Sequence, residues 1–171
     1  MLASCGGHAQ SAQIPPAQIT KAFAGSPPPL AALHAQAGQL VGGGPAAFKA
    51  LLVSLKGHPV VVNKWASWCG PCQFEFPAFQ RAAVSYGNRV AFVGLDSNDF
   101  NEKAASFLRK FPVTYPSYVD PHEDIARSLE AFGYFPATIY FDRAGKRAYT
   151  KGGPYRDTAA LERDVRRYAL R

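Results

Sequence analysis

A chain of 171 residues is long enough for one domain with a full hydrophobic core and a short tail. Hydrophobic residues make up 47% of it and charged residues 18%, an ordinary globular balance that excludes a disordered polyelectrolyte, and no apolar run approaches the length of a membrane-spanning helix. The net charge of +7 does not point to nucleic acid, because no zinc-finger spacing, RNP-like aromatic strand or long Lys/Arg tract accompanies it; Arg163, Arg166, Arg167 and Arg171 read as a solvated helix face, with weak attraction to anionic lipid headgroups as the alternative.

In chain order, the first 27 residues differ from the rest. Residues 6–26 are mostly Gly, Ala, Gln, Ser and Pro, with one charged side chain, Lys21, and one aromatic, Phe23. Such a stretch buries too little apolar surface to offset its ordering entropy, so it reads as a flexible linker, with the folded domain spanning 28–171. Pro27-Pro28-Pro29 suits a helix entry, and Leu30, Leu33, Ala37, Leu40 and Val41 follow at helical spacing until Gly42-Gly43-Gly44. Phe48, Leu51, Leu52 and Leu55 mark a second short helix. A strand is predicted over 59–66, a helix over 70–86 bent at Pro77, and a strand over 89–95. Asp99 is placed to cap a helix reaching Lys110. Tyr115 to Val119 reads as a short strand, and His122 to Phe132 as a helix ended by Gly133. Ala137 to Phe141 and Lys146 to Thr150 form an antiparallel hairpin. Asp157 caps a last helix with Leu161, Val165 and Tyr168 inside.

The most specific signal is Trp65-Ala66-Ser67-Trp68-Cys69-Gly70-Pro71-Cys72, which joins the apolar run Val60-Val61-Val62 to a helical pattern carrying Phe76, Phe79 and Val84. Two cysteines two residues apart thus sit where a strand becomes a helix. The first faces solvent at the helix N-terminus, where free backbone N–H groups and the helix dipole favour a thiolate; the second lies one turn in, within reach of a disulfide. That is the arrangement of reversible thiol–disulfide exchange. A purely structural bridge would close a tiny loop and constrain little, and a zinc site would need two more ligands that the spacing does not supply.

Trp-Cys-Gly-Pro-Cys after a strand resembles the thioredoxin superfamily. Val61-Val62-Asn63 before it and Glu75 and Pro77 after it resemble the TlpA/ResA-like branch of extracytoplasmic, membrane-anchored thiol–disulfide oxidoreductases, several of which act in cytochrome c maturation. Phe135-Pro136-Ala137-Thr138 resembles the superfamily's cis-proline loop and Asp142-Arg143-Ala144-Gly145 the hairpin turn after it; the likeness runs over about 45–171. It implies an α/β thioredoxin fold: a central mixed sheet flanked by helices, with a helical insertion between about Asp96 and Phe135 and an N-terminal helical extension. It implies Cys69 as the attacking and Cys72 as the resolving thiol, with Trp68, Gly70, Pro71, Phe135 and Pro136 meeting substrate. No cofactor beyond the Cys69–Cys72 dithiol and no metal is expected. The expected partners are protein thiols and disulfides and a membrane electron donor, and a monomer that binds no nucleic acid is expected. With no histidine between the cysteines, thiolate stabilisation should be modest, which favours a reductant over an oxidase or isomerase. A copper-binding assembly factor on the same fold is the alternative from another class.

Three other residues stand out. Glu75, three residues beyond Cys72 and leaning toward the helix start, is a candidate proton carrier if partly buried, since the earlier position where thioredoxins hold an aspartate is Asn63; a solvated surface carboxylate is the bland alternative. Lys64, in the middle of the predicted strand, has no evident partner. Leu2-Ala3-Ser4-Cys5 resembles a bacterial lipobox, which implies a lipid anchor on Cys5 and a location in the periplasm or on the outer face of the cell membrane; a chance cysteine in the tail is the alternative. Trp65 is expected in the core, Trp68 partly over the disulfide, and His8, His34, His58 and His122 in solvent.

Overall fold

The computed structural model describes residues 13–171. A six-stranded mixed sheet runs through it in the order β1-β4-β3-β2-β5-β6. Its strands are β1 (Leu40–Val41), β2 (Val60–Trp65), β3 (Ala91–Ser97), β4 (Ser117–Asp120), β5 (Ala137–Phe141) and β6 (Arg147–Gly152). β1, β4, β3 and β2 are mutually parallel, β5 runs antiparallel to β2, and β6 runs antiparallel to β5. β2 is central and buried along its whole length, which is why it opens on three consecutive valines rather than on an alternating pattern.

Among the described residues seven α-helices cover the sheet: α1 (Pro16–Phe23), α2 (Pro28–His34), α3 (Gly44–Ser54), α4 (Gly70–Tyr86), α5 (Asn101–Lys110), α6 (Asp124–Ser128) and α7 (Thr158–Asp164), the last running on into a π-helical turn over Val165–Ala169. Two apolar layers result. Val61, Trp65 and Tyr140 point toward α4, α5 and α7, where Phe76, Phe79, Phe107 and Leu161 meet them. Val60, Val62 and Ile139 point toward α2, α3 and α6, with Leu30, Leu33, Phe48 and Ile125. Trp65 lies fully in the core between Phe76 and Phe107, and its Nε1 donates to Ser117 Oγ at 3.2 Å. Gly94 permits that bond, because a Cβ there would overlap both the Ser117 hydroxyl and the indole.

The architecture is the mixed, helix-flanked sheet expected, and Asp157 caps α7 by accepting from Ala160 N at 2.7 Å. Several elements differ. Part of the expected linker is α1, entered through Pro15 and Pro16 and laid against α4, with Phe23 stacked on His34 at 3.7 Å between ring centroids. Ordered chain therefore begins upstream of residue 28, because Ile19 and Phe23, four apart, give this stretch an apolar edge. The same stacking leaves His34 half-buried instead of solvated, and burial lowers its pKa against a bond with the Gly87 backbone. The helix expected through Val41 stops at His34, where a turn ending at Gly38 (φ +70°) sends Leu40–Val41 to the sheet edge beside β4. The helix expected over 122–132 is only Asp124–Ser128, because residues 131–134 are taken up by Lys64 and Glu123.

Candidate active site

Cys69 is the N-cap of α4, in extended backbone, with Gly70 and Pro71 as the first helical residues; proline there forgoes only an N–H that no helical carbonyl would receive. Its Sγ turns back over the helix and accepts from Cys72 N at 3.2 Å. Cys69 and Cys72 form a disulfide, with S–S 2.01 Å and Cα atoms 5.2 Å apart. The exposure expected of Cys69 is slight, 3% against 0% for Cys72, because that turn tucks the sulfur over the first helical turn. On reduction, the same N–H and the start of a 17-residue helix would stabilise a thiolate at Cys69 in preference to Cys72.

Glu75 follows one turn later and is completely buried, not a surface carboxylate. Its Oε2 accepts from Tyr155 N at 2.9 Å, while Oε1 has no hydrogen-bond partner among the described residues. Burial lifts its pKa to about 8, opposed by the Tyr155 N–H and the positive charge of Lys151. Tyr155 is itself fixed, its hydroxyl 2.7 Å from both Tyr140 Oη and Asp164 Oδ2. On the same side of the sheet, the amide of Asn63 and the hydroxyl of Thr138 are also buried without partners. Among these buried polar groups on the α4 side of the sheet, Glu75 is the one whose pKa burial lifts to about 8.

The outer edge is built from two loops. Trp68 is 56% exposed and anchored by Nε1 donating to Asn98 O at 2.9 Å. Its ring lies 4.8 Å from that of Phe135. The Phe135–Pro136 peptide is cis. Pro136 O accepts from Gly153 N at 2.9 Å, whereas neither N–H nor C=O of Phe135 is hydrogen-bonded among the described residues. Asp99 is not the N-cap of α5, a position held by Phe100. It accepts instead from the backbone N–H and, at 2.9 Å, the hydroxyl of Ser67, and so fixes the turn into Trp68. Asp96 behind it is raised to about 8 by burial and by the charges of Asp99 and Asp120.

Lys64 has the partner that the sequence does not reveal. Its buried Nζ donates to Glu123 Oε2 at 2.6 Å and to the carbonyls of Ala131 and Tyr134, each at 2.9 Å. It also lies 3.7 Å from the centroid of the Phe135 ring. Burial lowers the lysine pKa, and the bond to Glu123 with its charge works the other way.

Trp68, Cys69, Gly70, Pro71, Cys72 and Glu75 therefore meet on one loop and the first turns of α4, with Phe135 against Trp68. Cys5 lies outside the described residues. Among those residues no group of three His, Cys, Asp or Glu side chains is arranged to hold a metal ion. An apolar cavity of about 510 Å³ opens between α1 and α4, lined by Ile14, Ile19, Phe76, Pro77 and Val113, and it includes neither cysteine.

A family model described as Redoxin matches residues 31–166. The chain belongs to the redoxin family. This redoxin is 31% identical over 100 residues to the thioredoxin-like protein YneN of Bacillus subtilis, covering 57% of this chain and 58% of that protein. It is 27% identical over 96 residues to the thiol-disulfide oxidoreductase ResA of Bacillus thuringiensis, covering 56% and 55%. The chain thus matches somewhat over half the length of these curated relatives. Among solved structures, the putative thiol:disulfide interchange protein DsbE from Chlorobium tepidum superimposes with a TM-score of 0.61 at 28% identity, covering 67% of this chain and 82% of that one. The fold of this redoxin is thioredoxin-like. Its cysteines, Glu75 and Pro136 stand out as local motifs. Glu123, Asp99 and Tyr155 do not, since each reaches the site from 32 to 80 residues away in sequence. A lysine in a buried strand signals either a partner or a snorkelling side chain, without saying which.

Proposed function

We propose that this redoxin is a thiol–disulfide oxidoreductase that reduces disulfides in polypeptides. The observation that carries the reading is the Cys69–Cys72 disulfide at the N-terminus of α4 with a buried carboxyl, Glu75, one turn behind it. The likeness to ResA and to the interchange protein supports the same activity. In the reduced protein, the Cys69 thiolate attacks one sulfur of the substrate disulfide. The S–S bond breaks, a mixed disulfide forms, and the departing substrate thiolate takes a proton from solvent. Cys72 then loses its proton to Glu75 and attacks Cys69 Sγ, which releases the second substrate thiolate. Two electrons pass to the substrate and the Cys69–Cys72 bond closes; an external dithiol must reopen it.

The substrate segment lies across Trp68 and Phe135. The N–H and C=O of Phe135, without hydrogen bonds among the described residues, pair with it as an added strand would. Exposed aromatic side chains at Trp68, Phe74 and Tyr134 suit an apolar, unfolded chain. The absence of a histidine between the cysteines favours the reducing direction. Outside the cytoplasm, with Cys5 as a lipid anchor and a membrane dithiol as electron donor, the protein would keep cysteines of secreted or cytochrome-type partners reduced.

Trapping tests the core of this reading. Cys72→Ser should accumulate mixed disulfides with peptide substrates through Cys69, and Cys69→Ser should accumulate none. In the reduced wild type, limited iodoacetamide should label Cys69 well ahead of Cys72. Preferential labelling of Cys72, or trapping through it, reverses the roles.

A further inference from the structure

The ammonium of Lys64 has three protons, and all three are used: Glu123 Oε2, Ala131 O and Tyr134 O receive them. Glu123 Oε2 also accepts from Gly133 N at 3.0 Å. A lysine from β2 and a glutamate from the turn before α6, 59 residues apart, therefore hold three backbone points of one loop within four residues. That loop runs directly into Phe135 and Pro136. Beyond it, the Phe135 ring has Lys64 Nζ at 3.7 Å and the Trp68 indole at 4.8 Å, and the indole is fixed in turn to Asn98 O. A cation over an aromatic face is attractive, the more so when water is excluded. A leucine or phenylalanine at position 64 would pack the core without holding the loop. A buried lysine is costly there unless its bonds serve a geometry.

We propose that Lys64, paired with Glu123, is the positioning residue of the substrate-docking edge: it sets Phe135 against Trp68 and aims the free N–H and C=O of Phe135 at an extended polypeptide substrate. This role rests on Phe135 and Pro136 receiving substrate, as argued above. It does not touch the sulfur chemistry, so it discriminates between substrates. A peptide that must pair with the loop depends on it, whereas a small disulfide that only collides with the sulfur does not.

Lys64→Met keeps an unbranched side chain of similar volume and removes all three bonds. Glu123→Gln keeps an acceptor for both Lys64 and Gly133, and Phe135→Ala removes the positioned ring. Steady-state reduction is measured with a disulfide-linked peptide and with bis(2-hydroxyethyl) disulfide, at fixed external dithiol. Lys64→Met should raise KM for the peptide about tenfold with kcat within about twofold, and leave the rate on the small disulfide within about twofold. Glu123→Gln should raise peptide KM about threefold, less than Lys64→Met, because it keeps an acceptor. The Lys64→Met/Phe135→Ala double variant should be little worse than Phe135→Ala alone, since the two act on one contact. The NMR indole N–H signal of Trp68 should shift in Lys64→Met while that of Trp65 stays.

Equal slowing on both disulfides, or a shift of both indole signals, makes Lys64 a general structural residue and overturns the role. An unchanged peptide KM in Lys64→Met with a raised one in Phe135→Ala overturns it too, and leaves the docking loop standing. An unchanged peptide KM in both Phe135→Ala and Lys64→Met removes the docking loop and the role of Lys64 together. If Lys64→Met fails to fold, Glu123→Gln decides: a peptide-selective rise in KM supports the role, and none overturns it.

Discussion

Glu75 and Cys72 sit one helical turn apart, and only one of them has a hydrogen-bond partner outside the helix. Cys72 must lose a proton while fully buried, where its thiolate is disfavoured, and Glu75 is the nearby base that burial has tuned to about 8. Resolution should therefore quicken with pH up to about 8, as the carboxylate becomes available. Glu75→Gln should slow turnover about tenfold or more at neutral pH and flatten that limb, with Cys69 alkylation little changed. A pH–rate profile checks both, and matching profiles would make Glu75 a structural group. The same shift fixes a stability effect. Between about 4.5 and about 8 the folded protein holds a proton that the unfolded chain has released, so stability falls as pH rises through that window. Glu75→Gln should remove most of that slope in urea unfolding followed at several pH values. Asp96, also raised to about 8, leaves a slope of its own, and Asp96→Asn identifies its share.

At the scale of elements, what local pattern encodes was legible and what distant pairing encodes was not. The β2–α4 junction, the β5–β6 hairpin and the Asp157 cap each depend on residues a few positions apart, and each was readable from the chain. The length of α6, the work of Asp99 and the partner of Lys64 depend on contacts made across 32 to 70 residues, which periodicity does not report. α1 was missed for a related reason. An eight-residue helix is marginal alone, and this one forms because it has α4 and His34 to lie on. Phe23→Ala should therefore expose the α1 amides to hydrogen exchange and lower stability by about 1 kcal/mol or less, without altering disulfide reduction. The half-buried His34 ring has a lowered pKa, so stability present above about 6.5 should be lost as pH falls below it. His34→Gln should weaken that acid dependence.

For the whole molecule, the membrane location proposed above is tested by the kind of attachment it would need. No helix among the described residues is long and apolar enough to cross one. Two proposed attachments can be told apart: a lipid on Cys5, and attraction of a +7 chain to anionic headgroups. They differ in their response to salt. At about 1 M salt the screening length shrinks to about 3 Å and headgroup attraction is lost, whereas an acyl anchor is indifferent to ionic strength. Expressed in a bacterium behind a lipoprotein leader, the full chain should stay in the membrane fraction through a high-salt wash, and intact-mass analysis should find lipid on Cys5. Cys5→Ser should abolish both, leaving at most a salt-sensitive residue of binding that reports the basic surface alone. A wild-type protein released by salt, with no lipid mass, would make the attachment electrostatic and the lipobox-like match at 2–5 a coincidence of four residues.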